Sequence, residues 1–208
     1  MDLVAVIDFE TTGLSPDHGD RATEIAAVLL KDGEVIDRYQ SLMNAGVRIP
    51  PFITELTGIT DAMVRKAPPA AEVMRDVADF VGDTPLVAHN ASFDRRFWDA
   101  ELGRIRRKCR QEFACSMLVA RRLFPQAPSH KLAVLVEFAK LPVTGRYHRA
   151  LADAEMAASL LVRMEDELCR RYNVRDVSHE LLREIQKVQK HQLARCLERY
   201  QRKSVVAQ

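Results

Sequence analysis

No stretch of the chain stays apolar for the roughly 18–20 residues that a bilayer-spanning helix needs, which excludes a membrane-embedded protein of the helical kind. Cysteine is scarce: Cys109, Cys115, Cys169 and Cys196 show neither CxxC spacing nor a paired framework. A disulfide scaffold and a cysteine-built zinc site are therefore not expected, and free thiols in a reducing cytoplasm are. The first apolar strand opens almost at Met1, so no signal peptide is expected. Internal repeats and low-complexity segments are missing too, and 208 residues leave no space for a polymerase or helicase domain beside one sizeable core.

Charge is present in quantity and is unevenly placed. Residues 1–94 hold 7 Lys/Arg against 16 Asp/Glu, a net of −9, whereas residues 95–208 hold 24 against 13, a net of +11. The formal net of +2 thus hides an acidic half and a basic half, a division that suits a polyanion held beside a cation-binding centre. Between Arg95 and Arg122 there are nine basic residues against three acids, part of which reads as a phosphate-tracking surface and the rest as solvated helix.

Periodicity gives an α/β order. Residues 2–9 read as a buried strand; residues 22–31 and 34–42 flank Asp32-Gly33, a hairpin signal, so three strands come first as an antiparallel meander. A short helix lies between Pro50-Pro51 and Gly58, and Thr60 caps the next turn. A helix follows with Pro69 in its first turn, Val73, Val77 and Phe80 on its apolar stripe and Gly82 at its end. PLVAHN is a strand, and Asn90 can cap a helix over 91–102. EFACS is another strand, with helices before Phe124-Pro125, after Ser129-His130 and over about 149–170. This pattern predicts three layers around a mixed sheet. Residues 171–208 form a helical extension to a domain of residues 1–170. Leu181, Ile185, Val188, Gln192, Cys196 and Tyr200 make a stripe on it that must bury against the core or a second subunit.

The segment VAVIDFETTGL places Asp8 and Glu10 on one face of the opening strand, with Ile7 and Phe9 on the other. Two like charges roughly 6–7 Å apart repel unless something positive lies between them. Alone, the pair is also explained by an exposed strand end. HNASFD puts Asp94 about one turn into a helix that begins just past a strand, and HRALADA puts His148 before a helix with Asp153 on its first turns. Singly, His89 and Asn90 are explained as core-edge and capping groups, His148 as a surface histidine, and Asp153 as an acid favoured by a helix N-terminus.

Taken together, the three segments resemble the DEDD superfamily of 3′→5′ exonucleases, in the branch with a histidine in its third motif. That branch includes the proofreading subunit of bacterial DNA polymerase III and ribonuclease T. Asp8–Leu14 resembles D-x-E-T-T-G-L, His89–Asp94 resembles H-N-A-x-F-D, and His148–Asp153 resembles H-x-A-x-x-D. The likeness covers about residues 2–165. Two departures stand out: Cys115-Ser116 where many members begin the segment with an aspartate, and Thr57 where some proofreading subunits have a histidine.

The resemblance implies a ribonuclease H-like fold with a five-stranded mixed sheet flanked by helices. It implies Asp8, Glu10, Asp94 and Asp153 as ligands of two divalent cations, Mg²⁺ or Mn²⁺, with Asp8 bridging, because hard cations take oxygen ligands. It implies His148 as general base, its ordinary pKa near 6.5 suiting proton removal from water. Thr11, Thr12, Leu14, His89 and Phe93 are the implied substrate contacts, with Phe93 also explained as a core residue. The function expected is hydrolysis from the 3′ end of single-stranded nucleic acid to nucleoside 5′-monophosphates, DNA favoured, in proofreading or repair. RNA trimming and a non-catalytic nucleic-acid- or polymerase-binding subunit are the alternatives. A DNA polymerase and a homodimer are the protein partners considered.

Overall fold

A computed structural model describes residues 2–206; residues 1 and 207–208 lie outside the described residues. Five strands, β1 (Val4–Thr11), β2 (Ala22–Lys31), β3 (Glu34–Leu42), β4 (Leu86–Ala88) and β5 (Phe113–Cys115), form one sheet in the order β3-β2-β1-β4-β5. The first three pair antiparallel, with the hairpin at Asp32-Gly33, and β4 and β5 run parallel to β1. β1 extends two residues beyond the expected end, because Glu10 and Thr11 still pair with Glu24 and Ala22 across a bulge.

Alternation along β1 assigns its two faces. Ala5, Ile7 and Phe9 join the cluster under α3 (Ala70–Val81) and α4 (Ala91–Arg104). Val4 and Val6 join the cluster under α5 (Ser116–Leu123) and α7 (Ala150–Tyr172). Burial on both sides makes this strand almost uniformly apolar, and the acids interrupt it only near its end. Two short helices, α1 (Pro51–Thr57) and α2 (Asp61–Lys66), fill the β3-to-α3 connection, with Thr60 accepting from Met63 N as its sequence implies. Asn90 precedes α4 but does not cap it: its φ of 72° is left-handed, and its side chain makes no capping bond. The helix α6 (Leu132–Phe138) packs beside α7.

The helical extension is two helices, α8 (His179–Lys187) and α9 (Leu193–Val206), with a 3₁₀ turn at Lys190–Gln192 that interrupts the stripe read from the sequence. No Pro or Gly breaks it. Arg122 instead donates to the carbonyls of Gln186 (2.9 Å) and Val188 (2.9 Å), taking up acceptors that a continuing helix would have used. Leu181, Ile185 and Cys196 of the expected stripe are buried, while Val188 is half-buried and Gln192 exposed. Leu182, Leu193 and Leu197 take up the buried positions, packing with Leu123 and Leu168. The apolar stripe is thus covered by the chain's own core.

Candidate active site

Asp8 and Glu10 emerge near the C-terminal end of β1, on the face toward α7. Asp94 reaches them from the opposite layer: it lies on the first turn of α4, 2% exposed, and Oδ1 accepts from the amide of Phe9 at 3.2 Å. Asp153 comes from the first turn of α7. Its Oδ2 accepts from the amide of His148 at 3.1 Å, and its buried Oδ1 has no hydrogen-bond partner among the described residues. His148 stands on an exposed bend with φ of 62°, left-handed for a residue with a side chain, a strained conformation of the kind that clusters at functional sites. Ligand atoms of Glu10, His148 and Asp153 lie within 4.8 Å of one another.

Burial is the main force on these acids, and mutual repulsion adds to it. Asp8 is pushed well above the usual carboxylate range by desolvation, and then by Asp94, Glu10 and Asp153. Glu10 is raised to about 8 by burial and by Asp153 and Glu24, against some relief from Arg149. Burial raises Asp94 to about 8 despite its bond from Phe9, and raises Asp153 despite the His148 amide. Four carboxyls raised in this way, one with an orphaned oxygen, form a donor set that fits hard divalent cations.

Two ion pairs that the sequence reading missed hold the site together. Glu24, 0% exposed and paired with Glu10 across the β1–β2 ladder, accepts from Arg149 Nη2 (2.8 Å) and Nε (3.1 Å), Ala150 N (3.1 Å) and Gln40 Nε2 (2.7 Å). Arg149 lies between His148 and α7, so this bond fixes the start of the helix that carries Asp153. Arg21 in turn forks onto Glu101 of α4 at 2.7 and 2.9 Å, tying the turn after β1 to the helix of Asp94.

The expected substrate contacts fall into two groups. Leu14 projects freely from the turn, 79% exposed, and Phe93 is half-buried with its ring 5.0 Å from that of Phe97. Thr11 and Thr12 use their hydroxyls within the turn: Thr11 Oγ1 donates to Gly13 O at 2.6 Å, and Thr12 Oγ1 accepts from Arg21 N at 3.0 Å. Gly13 leaves the room that Asp20 occupies, where a Cβ would collide with its carboxylate. Both ring nitrogens of His89 serve protein partners, Nδ1 with Ser116 Oγ (2.9 Å) and Nε2 with His130 O (2.9 Å). Burial lowers its pKa to about 4, so His89 is a neutral tie between β4, α5 and the following loop.

The basic run is divided. Residues 104–110 lie where α4 ends and the chain re-enters the sheet at β5, the end opposite the acids, since β5 runs parallel to β1. Arg107 there pairs with Asp79 at 2.6 Å. Arg122 is committed to carbonyls, and Arg95 and Arg121 line a cleft between α4, α5 and α8.

A protein-family model described as exonuclease, of the RNase T type, matches residues 5–161, three-quarters of the chain. Among curated proteins, the chain is 38% identical over 161 residues to DNA polymerase III PolC-type of Bacillus subtilis, a match over 76% of this chain and 11% of that protein. It is 40% identical over 160 residues to the Bacillus cereus counterpart, again 76% and 11%. The chain therefore matches about a ninth of the length of these relatives. Among solved structures, exonuclease X in complex with 5′-overhanging duplex DNA superposes with a TM-score of 0.69 at 30% identity, covering 88% of this chain and 99% of that one. The nuclease domain of 3′hExo, a DEDDh family member bound to rAMP, shares the fold at TM-score 0.69 and 24% identity, over 81% and 94%. With the acids of all three motifs gathered at one sheet end, the chain belongs to the exonuclease family.

Proposed function

We propose that the protein is a metal-dependent 3′→5′ exonuclease acting on single-stranded nucleic acid, DNA in preference to RNA, and releasing nucleoside 5′-monophosphates. The observation that supports this most strongly is the convergence of Asp8, Glu10, Asp94 and Asp153 from both layers of the fold, with Asp153 Oδ1 lacking a hydrogen-bond partner among the described residues. Asp8, Glu10, Asp94 and Asp153 would hold two divalent cations, Mg²⁺ or Mn²⁺. When bound, such ions neutralise charge developing on the phosphoryl and leaving oxygens and acidify water.

The chain's own part is orientation and proton transfer. His148 accepts the proton of the attacking water, its bend placing the imidazole at the rim of the acids where solvent can carry the proton away. Asp153 holds that bend through the His148 amide, and Glu24 with Arg149 holds the helix behind it. Leu14 and Phe93 offer apolar surface to the terminal base, a contact every base can make. Thr11, Thr12 and His89 act by shaping the turn and the strand end that frame this surface.

The curated relatives are named as polymerases and exonuclease X was solved on DNA, which favours DNA and association with a DNA polymerase. No helix among the described residues is long and apolar enough to cross a membrane, and the four cysteines are free thiols, consistent with work in the cytoplasm. The family match ends at residue 161, which supports treating residues 171–208 as an extension to the exonuclease domain. Single-stranded DNA, duplex DNA and RNA of one sequence, labelled at the 5′ end, should be compared with Mg²⁺ and with Mn²⁺. A ladder shortening from the 3′ end, fastest on single-stranded DNA, is expected; shortening from the 5′ end, or intact substrates throughout, would overturn the reading.

A further inference from the structure

We infer that the cleft between α4, α5 and α8 is a nucleotide subsite, which takes a phosphate and base of the same single strand upstream of the bond to be cut. This rests on the exonuclease reading and extends it. The cleft has a volume of about 450 Å³, and Asn90, Ser92, Arg95, Met117, Arg121 and Gln186 are among the residues that line it. That size falls within the roughly 300–1,000 Å³ of small-ligand pockets.

Its lining suits a nucleotide at both ends. Arg95 lies over the Phe113 ring at 5.8 Å, and among the described residues the hydrogen-bond partner of the Arg121 guanidinium is the Met117 sulfur, 3.8 Å away. Both guanidinium groups are exposed, so each can reach a phosphate without breaking a strong ion pair: the Arg95–Asp99 contact is 3.6 Å and solvent-screened. Half-buried Met117 and Leu118 supply apolar floor for a base. Gln186 spends its carbonyl oxygen on the amide of Cys115 at 2.6 Å, which leaves the amide nitrogen to donate. The first turns of α4 and α5 both border the cleft and add the positive ends of their dipoles.

Position favours a strand already engaged at the acids. Asp94 and Arg95 are consecutive on α4, one toward Phe9 and the other toward the cleft. A helix with its side chains is about 10–12 Å across, a span that a strand covers in a few nucleotides. The wall from α8 lies beyond the family match, so the extension would give this chain its own grip on the strand.

The test compares a twelve-residue oligothymidylate with the p-nitrophenyl ester of thymidine 5′-monophosphate, which is too short to reach the cleft. For Arg121→Glu, the ratio of kcat/KM on the oligomer to kcat/KM on the ester should fall about tenfold. Arg106→Glu, with the same charge change at the far end of the sheet, should leave that ratio within about twofold. Fluorescence anisotropy of a labelled oligomer, which needs no turnover, should show the same tenfold weakening for Arg121→Glu alone. An unchanged ratio and unchanged binding in Arg121→Glu, or equal losses in both variants, would overturn the subsite. Selective weakening of binding in a protein that hydrolyses neither substrate would uphold the subsite and remove the exonuclease reading.

Discussion

Burial, ahead of any neighbouring charge, raises the carboxyls of Asp8, Glu10, Asp94 and Asp153, and this ties stability to pH. A carboxyl raised on folding binds more protons in the native state than in the unfolded one. Its stabilising contribution is complete below the unfolded value near 4 and is lost as pH rises through the folded value, about 8 for Glu10 and Asp94. Metal-stripped protein should therefore melt a few degrees lower at pH 8.5 than at pH 5.5 in scanning calorimetry, and Mn²⁺ should abolish much of the difference. A melting temperature that rises over that window without metal would contradict the assignment. His148 offers a second residue-scale prediction: as general base, His148→Ala should lower kcat by about 10²–10⁴-fold with near-normal Mn²⁺ affinity. Its closeness to Glu10 and Asp153 makes ligation the competing role, which a parallel loss of Mn²⁺ affinity in calorimetric titration would reveal. The acids were legible in the sequence because motif spacing is local. Glu24 was not, since its partner Arg149 stands 125 residues away and an acid on an alternating strand reads as solvent-facing. Thr11, Thr12 and His89 have residue types that suit substrate and backbone alike, so the hydrogen bonds they make within the protein were not legible in the sequence.

Among elements, the start of α7 carries Asp153 and is tied to the sheet by Arg149. Arg149 caps no backbone group itself; it anchors the helix start by its fork onto Glu24. Breaking a buried pair from one side leaves a desolvated charge. Arg149→Gln should cost about 2–3 kcal/mol by urea denaturation, less than a fully buried pair because the arginine is a third exposed. Glu24→Gln with Arg149→Gln should recover part of that loss; strictly additive costs would show that the pair is not coupled. The sheet and its helices were legible from alternation, the Asp32-Gly33 hairpin and the Pro and Gly punctuation. The break between α8 and α9 was not, because the carbonyls at the end of α8 are taken by the side chain of Arg122 from another helix. The bulge that prolongs β1 past Glu10 depends on pairing with β2 and was equally invisible.

On the scale of the whole molecule, the acidic half and the basic half meet at the site only in part. The sheet directs residues 104–110 to the far end and leaves Arg95 and Arg121 lining the cleft between α4, α5 and α8, a division that composition alone does not reveal. The extension closes the core on the α7 side, with Leu181 fully buried. Leu181→Ala should accordingly cost about 2–4 kcal/mol, with the loss independent of protein concentration. Stability that rises with concentration in the wild type and not in the variant would place the stripe in an interface between two copies. The central claim is that four acids from two layers form one metal-dependent hydrolytic centre, and its most direct measurement is nucleoside monophosphate release from a single-stranded oligonucleotide by metal-stripped protein. With chelator in excess no release is expected, with Mn²⁺ restored it should return in full, and Asp153→Asn should stay inactive in both; undiminished release under chelator, or a fully active Asp153→Asn, would contradict it.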